Sequence, residues 1–177
     1  MTGTALDIVT FLMGQDKSKV WDIQEHKEKK HRSTSQNSYY WKLLSQVAAK
    51  LRVTNNFMHN TLLREVAPPF IIDGQMARVT LPDTEEAENN VLEAMTYHLK
   101  PTAQVWMGSD KVLYRTYVML KGSSAFDTKE FTVLLDRLIE IAKENDIETL
   151  PEDELAHMRE LELQREAQKN KSNINTA

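Results

Sequence analysis

STSQNSYYWKLLSQVAAKLR, residues 33–52, is the stretch with the clearest folding signal in the sequence. Ser33 and Gln36 occupy the N-cap and N3 positions of a capping box, which predicts that a helix begins here. We therefore expect an amphipathic helix over residues 34–52, with Trp41 in the core and Tyr39 outside it. The residues that define its predicted buried face recur at helical spacing: Tyr40, Trp41, Leu44, Val47, Ala48 and Leu51.

The region after this helix mixes helical and strand patterns. Residues 55–66 predict a second helix, which ends before two prolines. An Asp-Gly pair within residues 70–81 predicts a hairpin, because it supplies the positive φ angles of a type I′ turn. A third helix is predicted to begin near residue 82 and to include Leu99 before it ends at Pro101. Residues 103–120 are β-branched and aromatic and predict strands.

Two further helices are predicted in the last third. Asp127 and Glu130 form a second capping box, and a final helix covers residues 150–166. The polar residues from 168 onward predict a disordered tail. The apolar edge of the final helix consists of Leu155, Met158 and Leu161. This edge either packs against a second copy of the chain or belongs to a frayed surface helix.

The composition supports one globular fold. Of the 177 residues, 41% are hydrophobic, and with 5 Gly and 5 Pro the chain has enough apolar material for a core. The element pattern predicts an α+β fold: a single mainly helical domain with a small antiparallel sheet and a projecting C-terminal helix. We expect one domain over residues 1–150, followed by an acidic helix and disordered tail over residues 151–177.

Several classes of protein are excluded by the sequence. It contains no apolar run of the roughly 18 residues that a membrane span needs. Met1–Thr4 lacks the basic residues and apolar run of a secretory signal, so a soluble, cytoplasmic protein without membrane contact is predicted. The absence of cysteine excludes disulfides, thiol catalysis and cysteine-ligated zinc.

The net charge of −4 hides an asymmetry along the chain. Residues 17–52 contain nine Lys/Arg and three acids, a net charge of +6, whereas residues 127–166 contain five bases and thirteen acids, a net charge of −8. Such a split is typical of a protein with one part that meets a polyanion. Two solvated helix faces of opposite sign explain it as well, and charge alone favours this second interpretation.

Catalytic motifs are absent from the sequence. The five histidines fall in separate predicted elements, and each is expected on the surface rather than as a metal ligand. No phosphate-binding loop or nucleophile elbow occurs. We therefore predict no enzyme, no cofactor and no metal. A nuclease site made of scattered carboxylates is the remaining enzymatic alternative, which a single sequence does not reveal.

A basic and aromatic junction leads into the first predicted helix. Lys and Arg over residues 27–32 neutralise phosphates, and exposed rings stack on unpaired bases. Tyr39 is the stacking candidate here. Tyr114 and Tyr117, on either side of Arg115, form a second possible stacking surface, for which core packing is at least as good an explanation.

The string from Ile23 to Leu44 contains Arg32-Ser33, then Gln36-Asn37, then Trp41. This pattern resembles the Arg-Ser-x-x-Gln-Asn … Trp signature of the NinB (Orf) family of phage recombination proteins. A second block, residues 126–136 with residues 147–150, resembles that family's C-terminal helix and the loop after it. Together the two blocks cover about a third of the chain.

The resemblance implies a phage recombination mediator in the host cytoplasm, with a NinB-like nucleic-acid-binding domain over residues 1–150. Such proteins are homodimers that bind single-stranded DNA, contact the host single-strand-binding protein and help a recombinase or annealing protein to reach coated DNA. Gln36 and Asn37 belong to the signature, and both fold-supporting and DNA-contacting roles are open for them. The complete set of predicted DNA-binding residues is Lys27, Lys29, Lys30, Arg32, Gln36, Asn37, Tyr39, Lys42 and Arg115.

Two other functions compete with the mediator. One is a phage endonuclease of the HNH or Holliday-junction type, although the chain has no cysteine and no paired histidines. The other is an acidic protein–protein adaptor that acts through the helices of residues 127–166. The first predicts cleavage of branched DNA with a divalent metal, and the second predicts partner binding without DNA.

Overall fold

The helix predicted over residues 34–52 is present as α1 (Gln36–Leu51) in the computed structural model, which describes residues 36–174. The described residues contain five α-helices and two small antiparallel sheets, which confirms the α+β class. The other helices are α2 (Asn55–Val66), α3 (Glu85–Leu92), α4 (Thr128–Glu144) and α5 (Glu152–Ile174). The strands are β1 (Ile71–Ile72), β2 (Gln75–Met76), β3 (Arg78–Pro82), β4 (Leu99–Met107) and β5 (Leu113–Met119).

The buried face of α1 differs from the predicted one. Tyr39 is buried and Trp41 is 40% exposed, so both predictions for these residues are wrong. Helices α2, α4 and α5 all contact α1, so its buried face is wider than a single narrow apolar row. The Tyr39 hydroxyl accepts a hydrogen bond from the backbone N–H of Leu150 at 3.0 Å, which holds the ring inside.

The main core lies between the helices. Leucines from four helices are completely or almost completely shielded from solvent, and each buried leucine side chain stabilises the fold by about 2 kcal/mol. Representative members of this core are Leu44, Leu62, Leu134, Leu138 and Leu155.

Helix α4 begins as the sequence predicts. The Asp127 side chain accepts from the Glu130 backbone N–H at 2.8 Å, and the Glu130 carboxylate accepts from the Asp127 backbone N–H at 2.9 Å, which completes the capping box. The capping partner predicted for α1, Ser33, lies outside the described residues. Gln36 is buried, and its Nε2 donates to Thr132 Oγ1 at 3.4 Å, so this side chain ties α1 to α4.

Helix α5 packs differently from the prediction for its apolar edge. Leu155 and Met158 are buried in the core of the same chain, so neither a second copy nor a frayed surface helix describes these two residues. The helix also continues to Ile174, beyond residue 168, where a disordered tail was predicted. The side chains of residues 163–165 are exposed, so α5 extends past the core.

The third helix is shorter than predicted. Helix α3 ends at Leu92, and Leu99 belongs to β4, where it pairs with Met119 of β5. Met95, which lies three residues past the end of α3, is 78% exposed. Pairing with β5, which is distant in sequence, therefore outweighs the local helical pattern after residue 92.

The strands form two antiparallel sheets. β1 and β2 are joined by the predicted turn, in which Asp73 has a φ of 49° and Gly74 a φ of 78°, both in the left-handed region. The second sheet has the order β3-β5-β4. Pro101 is tolerated in β4 because this strand lies at the sheet edge.

None of the helices within residues 36–174 has the length and apolar character needed to cross a bilayer.

Candidate nucleic-acid interface

The strand register assigns the side chains of the three-stranded sheet to two faces. Side chains alternate along a strand, and directly paired residues of neighbouring strands share a face. One face is covered by α3, whose Val91 packs into a small apolar cluster. The sheet residues of that cluster are Val79, Leu81, Leu99, Tyr117 and Met119.

The opposite side of the sheet, here called the aromatic face, is polar and aromatic. Thr116 is buried at its centre, but most of the outer positions are exposed to solvent. The face therefore offers hydroxyls, cations and aromatic rings on strands that hold them at fixed spacing. Its residues are Arg78, Thr80, Pro82, Lys100, Trp106, Tyr114, Thr116 and Val118.

Trp106 and Tyr114 are directly paired across β4 and β5 and form a stacked aromatic pair. Their ring centroids are 6.3 Å apart and their planes differ by 25°. Trp106 is 43% exposed. The pair lines an open pocket of about 420 Å³, together with Thr80 and the turn residues 108–110. The exposed part of the Trp106 ring can stack on a planar base.

The turn between β4 and β5 fixes the Tyr114 ring. The Tyr114 hydroxyl donates to Asp110 Oδ2 at 2.7 Å, and the Val112 backbone N–H donates to Asp110 Oδ1 at 3.1 Å. The first of these bonds lowers the pKa of the Asp110 carboxyl below its ordinary value. A Cβ at Gly108 would lie 2.7 Å from Tyr114 Cε2 and 2.5 Å from Asp110 Oδ1, so a larger residue there would displace these side chains.

Two exposed cations flank the middle of the aromatic face. Arg78 of β3 and Lys100 of β4 both pair with Val118 of the central strand, so they stand on opposite sides of it. Neither forms a salt bridge with another residue of the described part of the chain. Their charges are available to an anionic ligand that crosses this face.

The predicted DNA-binding residues are distributed unevenly over the structure. Four cations of the predicted set lie outside the described residues: Lys27, Lys29, Lys30 and Arg32. Asn37 and Lys42 are exposed on α1. Gln36 is buried against α4, as the fold-supporting role predicts.

Three aromatic and basic residues need correction as contact candidates. Tyr39 is buried and does not offer a stacking surface. Tyr117 is only 1% exposed on the helix-covered face, where its hydroxyl donates to Glu88 at 3.0 Å. Arg115 donates to both carboxylate oxygens of Asp83 at 2.7 and 3.0 Å, so its guanidinium is occupied within the fold. Alternation explains why Tyr114 and Tyr117, three residues apart, face opposite sides.

A buried polar cluster around His59 was missed by the sequence reasoning, which placed every histidine on the surface. His59 is only 6% exposed. Its Nδ1 is 2.7 Å from the Tyr40 hydroxyl and its Nε2 is 3.2 Å from Ser123 Oγ. The exposed Trp41 ring lies against His59, with 4.9 Å between centroids. Tyr40 and His59 are 19 residues apart on different helices, so their contact leaves no local sequence signal.

Asn60 connects this cluster to the sheet. Its Nδ2 donates to the carbonyls of Leu92 and Ala94 at 2.8 and 2.9 Å, so its Oδ1 faces His98 Nδ1 at 2.6 Å. That arrangement requires the His98 Nδ1 to carry the proton. Asn60 thus joins α2 to the end of α3 and to the residue that precedes β4.

His59 predicts a pH-dependent stability. Burial, together with the neighbouring His98 ring, lowers the pKa of His59 from its ordinary value of 6.5 to about 4. The unfolded chain therefore binds a proton that the folded chain excludes, and stability falls as pH drops from 6.5 towards 4. We expect His59 alone to lower the free energy of unfolding by about 1 kcal/mol between pH 7 and pH 5.5.

Denaturant titrations of wild type and His59→Gln at both pH values measure this contribution. Glutamine at position 59 does not titrate in this range, so the stability of the variant should change less between the two pH values. Equal pH dependence in the two proteins would show that His59 does not hold this depressed pKa.

Within the described residues, no group of three or more His, Asp or Glu side chains is arranged to hold a metal ion. Trp106 is the main candidate contact residue that the sequence reasoning did not select. The signal that identifies it is the Gly108–Asp110 turn, because a hairpin about that turn pairs Trp106 with Tyr114.

Comparison with known proteins gives no assignment. No protein-family model, no curated protein and no solved structure matches the chain. The likeness of residues 23–44 to the NinB (Orf) signature therefore stays a prediction from the sequence.

Proposed function

We propose that the protein binds single-stranded DNA across the aromatic face and acts as a recombination mediator of the NinB (Orf) kind. The observation that carries the proposal is the exposed, stacked pair Trp106–Tyr114 with Arg78 and Lys100 on the same face. Rings that stack on bases, beside cations that neutralise phosphates, are the combination that single-strand binders use.

The geometry favours unpaired over paired nucleic acid. The Trp106 ring lies on a sheet, and a ring in this position stacks only on a base whose face is free. In a duplex the base faces are covered by their neighbours. The exposed strands present side chains in a row, which suits an extended strand.

The mediator role extends this binding activity. The chain would act as a homodimer on DNA coated by the host single-strand-binding protein, and would give a recombinase or annealing protein access to that DNA in the host cytoplasm. The cationic segment 27–32 would add phosphate contacts, and no DNA cleavage is part of the proposed activity. Incubation with branched DNA and Mg²⁺ should leave the DNA intact.

The salt dependence of binding tests the ionic part of the proposal. Fluorescence anisotropy with a labelled oligothymidylate and with a duplex of equal length should show tighter binding of the single strand. Replacing Arg78 and Lys100 together by glutamine should reduce the slope of log affinity against log salt by about one to two, because each phosphate contact contributes about 0.7 to it.

Lys129→Gln is the matched control, since Lys129 is an exposed cation at the start of α4. Its slope should equal that of the wild type. An unchanged slope in the Arg78→Gln/Lys100→Gln double variant would show that the aromatic face is not part of the binding site. Absence of single-strand binding at low salt would refute the proposed function.

A further inference from the structure

The pocket beside the stacked aromatic pair contains one carboxylate, which is unexpected on a surface that meets phosphates. Asp110 is exposed at this pocket and is held by Tyr114 and by the backbone N–H of Val112. A carboxylate next to a phosphate is repulsive, so its favourable ligand on a nucleic acid is a group that donates hydrogen bonds. Bases carry such donors on their edges.

We propose that this pocket selects guanine among the bases of a single strand, with Asp110 as the residue that determines specificity. The inference rests on the proposed function, because it names the base that the aromatic face prefers. A base that stacks on Trp106 and Tyr114 lies in the pocket that Asp110 also lines. Its edge then meets the carboxylate.

Hydrogen-bond chemistry distinguishes the four bases at that edge. Guanine presents two adjacent donors, N1–H and N2–H, which match the two oxygens of a carboxylate. Cytosine and adenine present one amino donor next to a ring nitrogen that accepts, and thymine presents one donor between two carbonyl oxygens. Only guanine pairs with a carboxylate through two parallel bonds without a repulsive contact.

The contacts of Asp110 leave room for such a pair. Each carboxylate oxygen has two acceptor directions. Among the contacts within the described residues, Oδ2 uses one with the Tyr114 hydroxyl and Oδ1 uses one with the Val112 N–H. The backbone N–H of Asp110 itself is a third donor to the carboxylate. The residue is nevertheless exposed and lines the pocket, so these bonds hold the carboxylate in place while it stays open to a ligand.

Oligonucleotides that differ in one base test the assignment. Anisotropy measurements would compare an eleven-residue oligothymidylate with versions that carry one central guanine, cytosine or adenine. We expect the guanine version to bind about fivefold to tenfold more tightly than the all-thymine one, a discrimination typical of one bidentate base contact. Asp110→Asn should bring this ratio close to one while the all-thymine oligonucleotide binds at least as tightly as before.

Asp73→Asn is the control for loss of one negative charge, because Asp73 is an exposed residue in a different turn. It should keep the guanine preference. Equal binding of all four oligonucleotides by the wild type overturns the inference and leaves the proposed function standing. A guanine preference that persists in Asp110→Asn also overturns it, and failure of every oligonucleotide to bind refutes the proposed function itself.

Discussion

Replacing Asn60 by alanine is expected to lower the free energy of unfolding by about 2–4 kcal/mol, the largest stability effect among the changes considered. Asn60 is only 2% exposed, and its amide contacts the carbonyls of Leu92 and Ala94 as well as His98. Alanine leaves these buried partners without their hydrogen bonds. Because these contacts hold the link from α3 to β4, the sheet loses part of its attachment to the helices.

Denaturant unfolding of Asn60→Ala measures this loss. Asn90→Ala is the matched control, since Asn90 is exposed on α3, and its effect should stay within about 0.5 kcal/mol. A loss below about 1 kcal/mol for Asn60→Ala would show that the amide does not form this junction.

Replacing Trp106 by alanine is expected to weaken single-strand binding by about tenfold to hundredfold, because stacking on one aromatic ring contributes about 1–3 kcal/mol per base. Trp106→Phe should retain much of the affinity, since a smaller ring still stacks. The fold should tolerate both changes, because Trp106 is 43% exposed on an edge strand.

The neighbouring Met107 gives the control for this experiment. It is 60% exposed and, by alternation, lies on the opposite side of the sheet. Met107→Ala should therefore bind the oligonucleotide as the wild type does. Comparable losses for Met107→Ala and Trp106→Ala would mean that the hairpin as a whole, rather than the aromatic face, affects binding.

Local signals predicted the helices and turns well. The helix over residues 55–66, the Asp73-Gly74 turn and the Asp127–Glu130 capping box all appear where sequence chemistry places them. Each of these features depends on residues that are close together in the sequence. Segments whose conformation depends on distant partners were predicted less well, as the early end of α3 at Leu92 illustrates.

Side-chain exposure was harder to predict for the same reason. Tyr39 is held inside by Leu150, which is 111 residues away, and His59 is buried by partners that include Ser123. Helical periodicity alone does not tell which edge of α1 receives a neighbour. The aromatic face was only half predicted: Tyr114 was selected, but its true neighbour Trp106 requires the register of the β4–β5 hairpin.

The most direct test of the central claim is a titration of ¹⁵N-labelled protein with a short oligothymidylate, observed through the indole N–H signals of the three tryptophans. A Trp106→Phe variant identifies the Trp106 signal by its disappearance. If single-stranded DNA crosses the aromatic face, that signal shifts or broadens in proportion to the bound fraction. A Trp106 signal that stays unchanged while the oligonucleotide is bound would contradict this account.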